Sequence, residues 1–399
     1  MLTPHYLTSL SELANRSSLV VAGVMSGTSV DSVDVGICRI EDAPSPAPSP
    51  AASTAQSRAK VTLEGFYRHP YPLPLRSRVL KSRDLNVQDV AELNFLIGQL
   101  FAEAIEAARL EWGGGTIDLI GSHGQTIYHH SGIVDKIPAT LQIGCGDIIA
   151  SKTGIFTIFN FRAKDVAVGG EGAPLVPYAD EQLFWGDGCR AVVNLGGIAN
   201  ITLLGLPEGK VLGFDTGPAN APLDRIARKI TQGVSELDYN GLLATQGSIN
   251  AQLLSELLAD PYLARMPPKS TGPEMYGDEF VEGVIRRFGR VDNDLIATMT
   301  EFVAISVAQA IITFSPEPVT QVVVAGGGAN NPFLMTRMQS HLGSIPVLRS
   351  DECGVPAYAR EVMAFALLAY DSLRGRTTSK PSVTGGSRPV RLGCFAFPD

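Results

Sequence analysis

The sequence predicts an α/β protein of two lobes that share a duplicated fold, and three observations carry this. Its 399 residues exceed what one hydrophobic core usually organises. Apolar runs of strand length alternate with long segments of helical period. A strand, a polar turn and a partner strand open each half, at 19–40 and again at 190–204, before long helices and further strands that end in glycine.

The elements follow in order. The stretch before residue 19 reads as a short leader. LVVAGV (19–24) is a buried strand ended by a polar turn, and VDVGICRI (33–40) is its hairpin partner. The Pro, Ala and Ser-rich segment 43–59 cannot bury enough surface to order itself and is expected to be a flexible insertion. It sits inside a sheet, because VTLEGFYRHPY (61–71) resumes the strand pattern. Residues 87–111 repeat apolar positions at three- and four-residue spacing, the mark of a long amphipathic helix. Residues 117–126 and 157–161 read as strands. RAVVNLGGIANITLL (190–204) is strand, glycine turn, strand, and KVLGFDTGPANAPLD (210–224) is strand, turn, helix start. A long helix is expected at 295–314, a strand, triple glycine and helix at 321–339, and a last helix at 359–373 that crosses back to the first lobe. The boundary between lobes falls within 165–190 and is set at 170/171.

Bulk properties exclude several classes. The net charge is −8 and no dense Lys/Arg patch occurs, which argues against nucleic acid as a partner. The five cysteines, Cys38, Cys145, Cys189, Cys353 and Cys394, are scattered without a CxxC pair. A disulfide framework or zinc site is therefore not expected, and a reduced, cytoplasmic setting is. No apolar run is read as reaching the roughly 20 residues of a membrane helix, and no secretory signal is recognised. A homodimer is left open.

Four glycine-rich turns stand at strand ends, at 26–31, 196–200, 215–220 and 326–330. Glycine there lets backbone N–H groups approach a phosphate, and a following helix adds its partial positive charge. None matches the P-loop pattern. Asp31 and Asp215 stand beside two of these turns and suit a magnesium ion shared with phosphates; each suits an Asx-turn or helix cap equally. In NFRAKDVAVGGEGAPLVP (160–177), Asp165 is a candidate general base within a loop able to close over a substrate. The alternative is a salt bridge from Asp165 to Arg162 or Lys164. In SHGQTIYHH (122–130), His123, Gln125, Thr126 and His130 suit a polyhydroxylated ligand, although a lone His is more often a satisfied structural residue. PPKSTGPEMYG (267–277), with Lys269, Ser270, Thr271 and Glu274, reads as one wall of a nucleotide cleft or as a plain loop.

GVMSGTSVDSVD, HGQT, TLQIG, NFRAKDVAVGGEGAPLVP, NLGGIANIT, GFDTGPAN, PPKSTG, AGGGANNPFLM and SVTGG occur in this order from about residue 20 to 393. Together they resemble the anhydro-N-acetylmuramic acid kinase family, which includes levoglucosan kinase. That family lies within the superfamily of actin-like sugar kinases and heat-shock chaperone ATPases. The resemblance implies two ribonuclease H-like lobes of duplicated fold around a central nucleotide cleft. The N-terminal lobe (1–170) would carry the sugar and the phosphate loop, and the C-terminal lobe (171–399) the nucleotide.

The activity implied is ATP-dependent, with Mg2+: a 1,6-anhydro sugar is opened by water while its O6 is phosphorylated. The favoured substrate is 1,6-anhydro-N-acetylmuramic acid, a product of peptidoglycan recycling, giving N-acetylmuramic acid 6-phosphate. By similarity, Ser26, Gly27, Thr28, Ser29 and Asp31, with Asp215, Thr216 and Gly217, would grip the phosphates. Gly326, Gly327, Gly328 and Asn331 would lie near the adenosine. Asp165 matches the catalytic base, and Arg162, His123, Gln125, Thr126, Gly172, Ala173 and Pro174 would line the sugar. Asp31, Asp215 and Glu361 would hold the metal.

Two positions depart from the family pattern. Ser32 replaces a glycine, which would crowd the loop if its φ were positive. Cys145 stands where Asp is usual, with Asp147 two residues on, and alters the expected wall of the sugar pocket. Three rival readings compete: levoglucosan kinase, an ATPase module without sugar chemistry, and a hexokinase-like enzyme that consumes no water.

Overall fold

The computed structural model describes residues 4–27, 29–43, 58–130, 137–207, 210–267 and 269–398. Thr28 and most of the expected insertion, 44–57, lie outside them. The strands are β1 (Ser18–Ser26), β2 (Ser32–Ala43), β3 (Arg58–Pro70), β4 (Leu119–His130), β5 (Ala139–Ile143), β6 (Thr157–Phe159), β7 (Cys189–Leu195), β8 (Ile198–Leu204), β9 (Leu212–Pro218), β10 (Val319–Ala325), β11 (Val347–Arg349) and β12 (Cys394–Ala396).

Contacts divide the chain into two units, Met1–Leu183 with Tyr358–Asp399, and Phe184–Ala357. The segment after the last helix, 374–399, expected in the second lobe, thus belongs to the first, and so do residues 171–183. The reason for the latter is two long-range anchors on the helix Val176–Leu183. Arg360 grips the fully buried Asp180 through Nε–Oδ1 and Nη2–Oδ2 bonds of 2.8 and 2.5 Å. Tyr178 donates its hydroxyl to Asp371 at 2.8 Å.

In the first unit the strand order is β12-β6-β4-β1-β2-β3, with β5 on β4. β1–β2 and β2–β3 are antiparallel, while β1–β4 and β4–β6 are parallel. In the second unit the order is β11-β10-β7-β8-β9, with β7–β8 and β8–β9 antiparallel and β7–β10 and β10–β11 parallel. Each unit therefore has a three-strand meander joined to two parallel strands through its first strand. This is the ribonuclease H-like topology, present twice. The antiparallel steps need only turns, whereas each parallel step needs a crossover, supplied by the helices Val87–Glu111 and Gly146–Thr153 in the first unit and by Asn293–Phe314 and Pro332–Leu342 in the second.

Val87–Glu111 begins where Asn86 accepts a capping bond from the Asp89 amide at 2.9 Å. It buries Leu93, Ile97, Leu100, Phe101, Ala104 and Ile105 against the strands of its unit. The other face of this sheet receives the helix Arg360–Leu373 at unusually short range. A Cβ on Gly23 of β1 would lie 1.8 Å from the Val362 carbonyl oxygen, so only glycine admits the helix backbone here.

The helix Asn293–Phe314 is long and apolar enough to cross a membrane, with mean hydropathy 1.8, so the expectation that no run qualifies is corrected. Most of it is buried inside the second unit, where Val303, Ala304, Val307 and Ile311 pack against the sheet core. The leader contains a helix, Pro4–Ala14, that sequence periodicity did not show.

Candidate functional site

The strand β6 ends at Phe159. Asn160 then takes a left-handed conformation (φ 54°), which turns the chain into the short helix Phe161–Val166. Helical spacing puts Phe161 and Asp165 on one face, and both are buried, while Lys164 is exposed on another. The Asp165 carboxylate has no accessible surface. Its Oδ2 accepts the Gly172 amide at 2.9 Å and its Oδ1 accepts the Thr384 hydroxyl at 2.8 Å. Neither Arg162 nor Lys164 pairs with it, so the salt-bridge alternative is overturned. A Cβ on Gly170 would stand 2.2 Å from Oδ2, so the glycine-rich loop can lie directly over the carboxylate.

Arg162 turns the other way. Its Nη1 donates to the Gly172 carbonyl at 2.8 Å, and Nε and Nη2 reach Nε2 of His123 at 3.0 and 2.9 Å. His123 Nδ1 lies 2.9 Å from the Gly124 carbonyl. These partners fix a neutral imidazole, with Nδ1–H donating and Nε2 accepting. Burial and the adjacent guanidinium push its pKa down to about 3. A bulge in β4, where Val24 pairs with Ser122 but Ser26 with Gln125, aims His123 inward against Phe365. Gly172 thus joins the two groups, its N–H on Asp165 and its C=O on Arg162. The following Ala173–Pro174 peptide is cis.

The first glycine turn is tightly built. Val30 adopts φ 55°, unusual for a β-branched residue, while its side chain is buried in the core. Arg76 clasps the turn with bonds to the carbonyls of Val30 (3.0 Å) and Ser29 (3.2 Å) and to Asp31 Oδ1 (2.7 Å). The Ser26 hydroxyl is turned inward to the Ser32 carbonyl (3.1 Å) and Gln125 Oε1 (2.6 Å). Gln125 is itself buried, held also by Tyr71 and by its own bond to the Gly27 carbonyl. Neither Ser26 nor Gln125 therefore presents a free side chain, and both shape the turn. Thr126 accepts from Gln142 at 3.3 Å. Gly27 and Ser29 remain in the turn, Ser29 exposed. Ser32 is not among the positive-φ residues, since Val30 takes that conformation, and its hydroxyl bonds Asp34 at 2.8 Å.

In the second unit three glycine turns converge at one end of the sheet. The amides of Ala219 and Asn220 bond to the Gly197 and Gly196 carbonyls at 3.0 and 2.9 Å. Asn220 also caps the Leu195 carbonyl at 2.9 Å, and the backbones of Gly327 and Gly328 lie against its side chain. Gly326 takes φ 83°. Asn331 spends its side chain as the cap of Pro332–Leu342, accepting from the Leu334 amide at 3.0 Å. In β9, Asn200 pairs with Asp215 and Ala199 with Gly217, so Thr216 is a bulged extra residue, its hydroxyl on the Ala199 carbonyl at 3.2 Å.

Asp215 Oδ2 accepts the Thr271 amide at 3.0 Å, and burial pushes its pKa up from the ordinary carboxylate value. Lys269 supports this loop. It is buried, donates to the carbonyls of Tyr262 (3.3 Å) and Leu263 (2.9 Å), and lies 4.6 Å from the Phe314 ring centroid.

Among the described residues no group of three acidic, His or Cys side chains is prearranged for a metal. Magnesium does not demand one, since it keeps waters and uses one or two carboxylates beside phosphates. Asp215 fits that need best, because its Oδ1 accepts no hydrogen bond among the described residues. Asp31 fits less well, being paired to Arg76. Glu361 lies exposed in the first turn of Arg360–Leu373, within the field of Arg360 and Arg162.

Sequence reasoning assigned no role to Thr384, Arg76 or Asp180. The SVTGG motif was the one available sign of Thr384. Cys145 stands at the N-cap of the helix Gly146–Thr153 and makes no side-chain cap bond. The departure there is thus a lost helix cap.

A profile of the family described as anhydro-N-acetylmuramic acid kinase matches residues 19–398. The chain is similar to the protein of that name from Caldanaerobacter subterraneus subsp. tengcongensis, at 36% identity over 96% of this chain and 98% of that one. It is 38% identical to the protein of the same name from Vibrio cholerae, over 94% of this chain and 98% of that one. A third, from Salinibacter ruber, is 36% identical over 98% and 100%.

Proposed function

Because the chain belongs to the anhydro-N-acetylmuramic acid kinase family, we propose that it opens 1,6-anhydro-N-acetylmuramic acid with water and transfers the ATP γ-phosphoryl group to O6, giving N-acetylmuramic acid 6-phosphate. It is a phosphotransferase acting on a sugar hydroxyl. The observation that carries the proposed mechanism is Asp165, a buried carboxylate with two donors, no cationic partner and a glycine loop above it.

The reaction balances with one carboxylate. Water forms a bond to C1 as the C1–O6 bond breaks, and O6 bonds the γ-phosphorus as the bond to the β-phosphate oxygen breaks. The proton of the water goes to Asp165. Because phosphoryl transfer neutralises the leaving O6, no second carboxyl group is needed to protonate it, unlike ordinary glycoside hydrolysis. Attack opposite the bridging oxygen inverts C1. Each Asp165 oxygen accepts one bond here and retains a further lone pair for the water. Since the carboxylate has no accessible surface, the loop bearing Gly170 must lift for water to enter.

Arg162 holds the Gly172 carbonyl, His123 orients Arg162, and the two present the sugar-side wall. The turn amides at Gly27 and Ser29, and those beside Asp215 to Gly217, suit the phosphates; the turn at Gly326–Gly328 suits the nucleoside side. Thr28, assigned with the phosphate loop, lies outside the described residues. Magnesium, when bound at Asp215 and the phosphates, would neutralise charge developing on the γ-phosphoryl group.

The test is Asp165→Asn. It is expected to abolish anhydrosugar-dependent ADP formation while leaving nucleotide binding intact, and labelled water should place its oxygen at C1 in the wild-type product. Near-full activity of the variant would remove Asp165 from the role of base. Each relative named above carries the name anhydro-N-acetylmuramic acid kinase, which favours this substrate over levoglucosan.

A further inference from the structure

We infer that Thr384, near the C-terminus, is a positioning residue for Asp165: its hydroxyl orients the carboxylate and stabilises its ionised form. The inference rests on the reading of Asp165 as base. Four hydrogen bonds stitch the segment 384–387 to the base loop. They run from Thr384 Oγ1 to Asp165 Oδ1 (2.8 Å), from the Glu171 amide to the Thr384 carbonyl (2.8 Å), and from the Ser387 amide and hydroxyl to the Val168 carbonyl (2.9 and 2.8 Å). Thr384 is itself buried, with 1% of its surface exposed. Its position is fixed by the short helix Pro381–Thr384, whose Lys380 pairs with Glu181.

A carboxylate without accessible surface needs donors to remain charged. Asp165 has two, and no charged side chain touches it. Arg162 is committed to His123 and Gly172, Lys380 to Glu181, and Lys164, Glu171 and Arg388 are exposed. The Gly172 amide belongs to the loop that must lift for water to enter. When it does, Thr384 is the donor that remains, on Oδ1, the oxygen that Gly172 does not bond. A base held at one oxygen and free at the other is a directed base.

The experiment compares Thr384→Val, which keeps shape and loses the donor, with Thr384→Ser, which keeps the donor. Initial rates are followed against pH with saturating and limiting anhydrosugar. The expected result for valine is a kcat lower by about ten- to a hundredfold and an acidic limb of kcat/KM moved up by about one pH unit, from the lost hydrogen bond to the charged form. KM for ATP should not change, and serine should restore both the limb and most of kcat. Should valine prevent folding, judged by thermal unfolding, Thr384→Ala removes the same donor with less bulk. An unshifted acidic limb in the donor-less variant, or a serine variant as impaired as valine, overturns the inference. Full activity of Asp165→Asn would instead overturn the base assignment, so the two failures are distinguishable.

Discussion

His123 makes the first unit acid-sensitive, and the size of the effect follows from its surroundings. In the unfolded chain its imidazole titrates near 6.5. In the fold it is 4% exposed, faces Arg162 and is held to about 3. Between these two values the unfolded state binds a proton that the native state refuses. The stability present above pH 6.5 is therefore lost as pH falls toward 3, by about 1.4 kcal/mol per pH unit. From pH 7 to 5 the loss from this group is about 2 kcal/mol. His123→Gln keeps an acceptor for Arg162 and removes the titration. Trp112 lies in the first unit and Trp185 in the second, so in a Trp185→Phe background urea unfolding followed by Trp112 fluorescence reports the relevant unit. The variant starts less stable, but its stability should fall by about 2 kcal/mol less between pH 7 and 5. Equal losses in the two proteins would refute the assignment of a buried neutral imidazole.

Two further outcomes are open to direct measurement. Asp180→Ala strands the buried Arg360 guanidinium, and should destabilise the first unit by about 3–5 kcal/mol in the same urea assay, with most recovered in an Asp180→Leu, Arg360→Met pair. Cys145→Asp restores a helix cap at Gly146–Thr153 and should add about 1 kcal/mol; a neutral or destabilising result would mean that the cap geometry there is not productive.

What was legible in the sequence depended on how local its cause is. The helix Val87–Glu111 was read with its observed bounds, because its period persists over seven turns and its cap is Asn86, next to it in sequence. The duplicated meander was legible because each copy is built from neighbouring hairpins. The helix Val176–Leu183 was not, since Gly and Pro dominate its approach and its place is fixed by Arg360, 180 residues from Asp180. The site divides in the same way. Asp165 was visible from the glycine-rich loop that follows it, but its donor Thr384 is 219 residues away. Ser26 and Gln125 look like ligand groups in the sequence, yet they bond one another across strands paired by the fold. Arg76 was silent because an arginine on a short helix carries no pattern.

The first unit is assembled from two stretches of chain, with Phe184–Ala357 between them. During synthesis the second unit is complete as one continuous piece before the ribosome has made the helix Arg360–Leu373. The sheet that receives that helix at Gly23 must wait without that cover, and Thr384 is made later still. A copy terminated before Thr384 thus carries Asp165 without that donor, so the acid is finished only once residue 384 is in place.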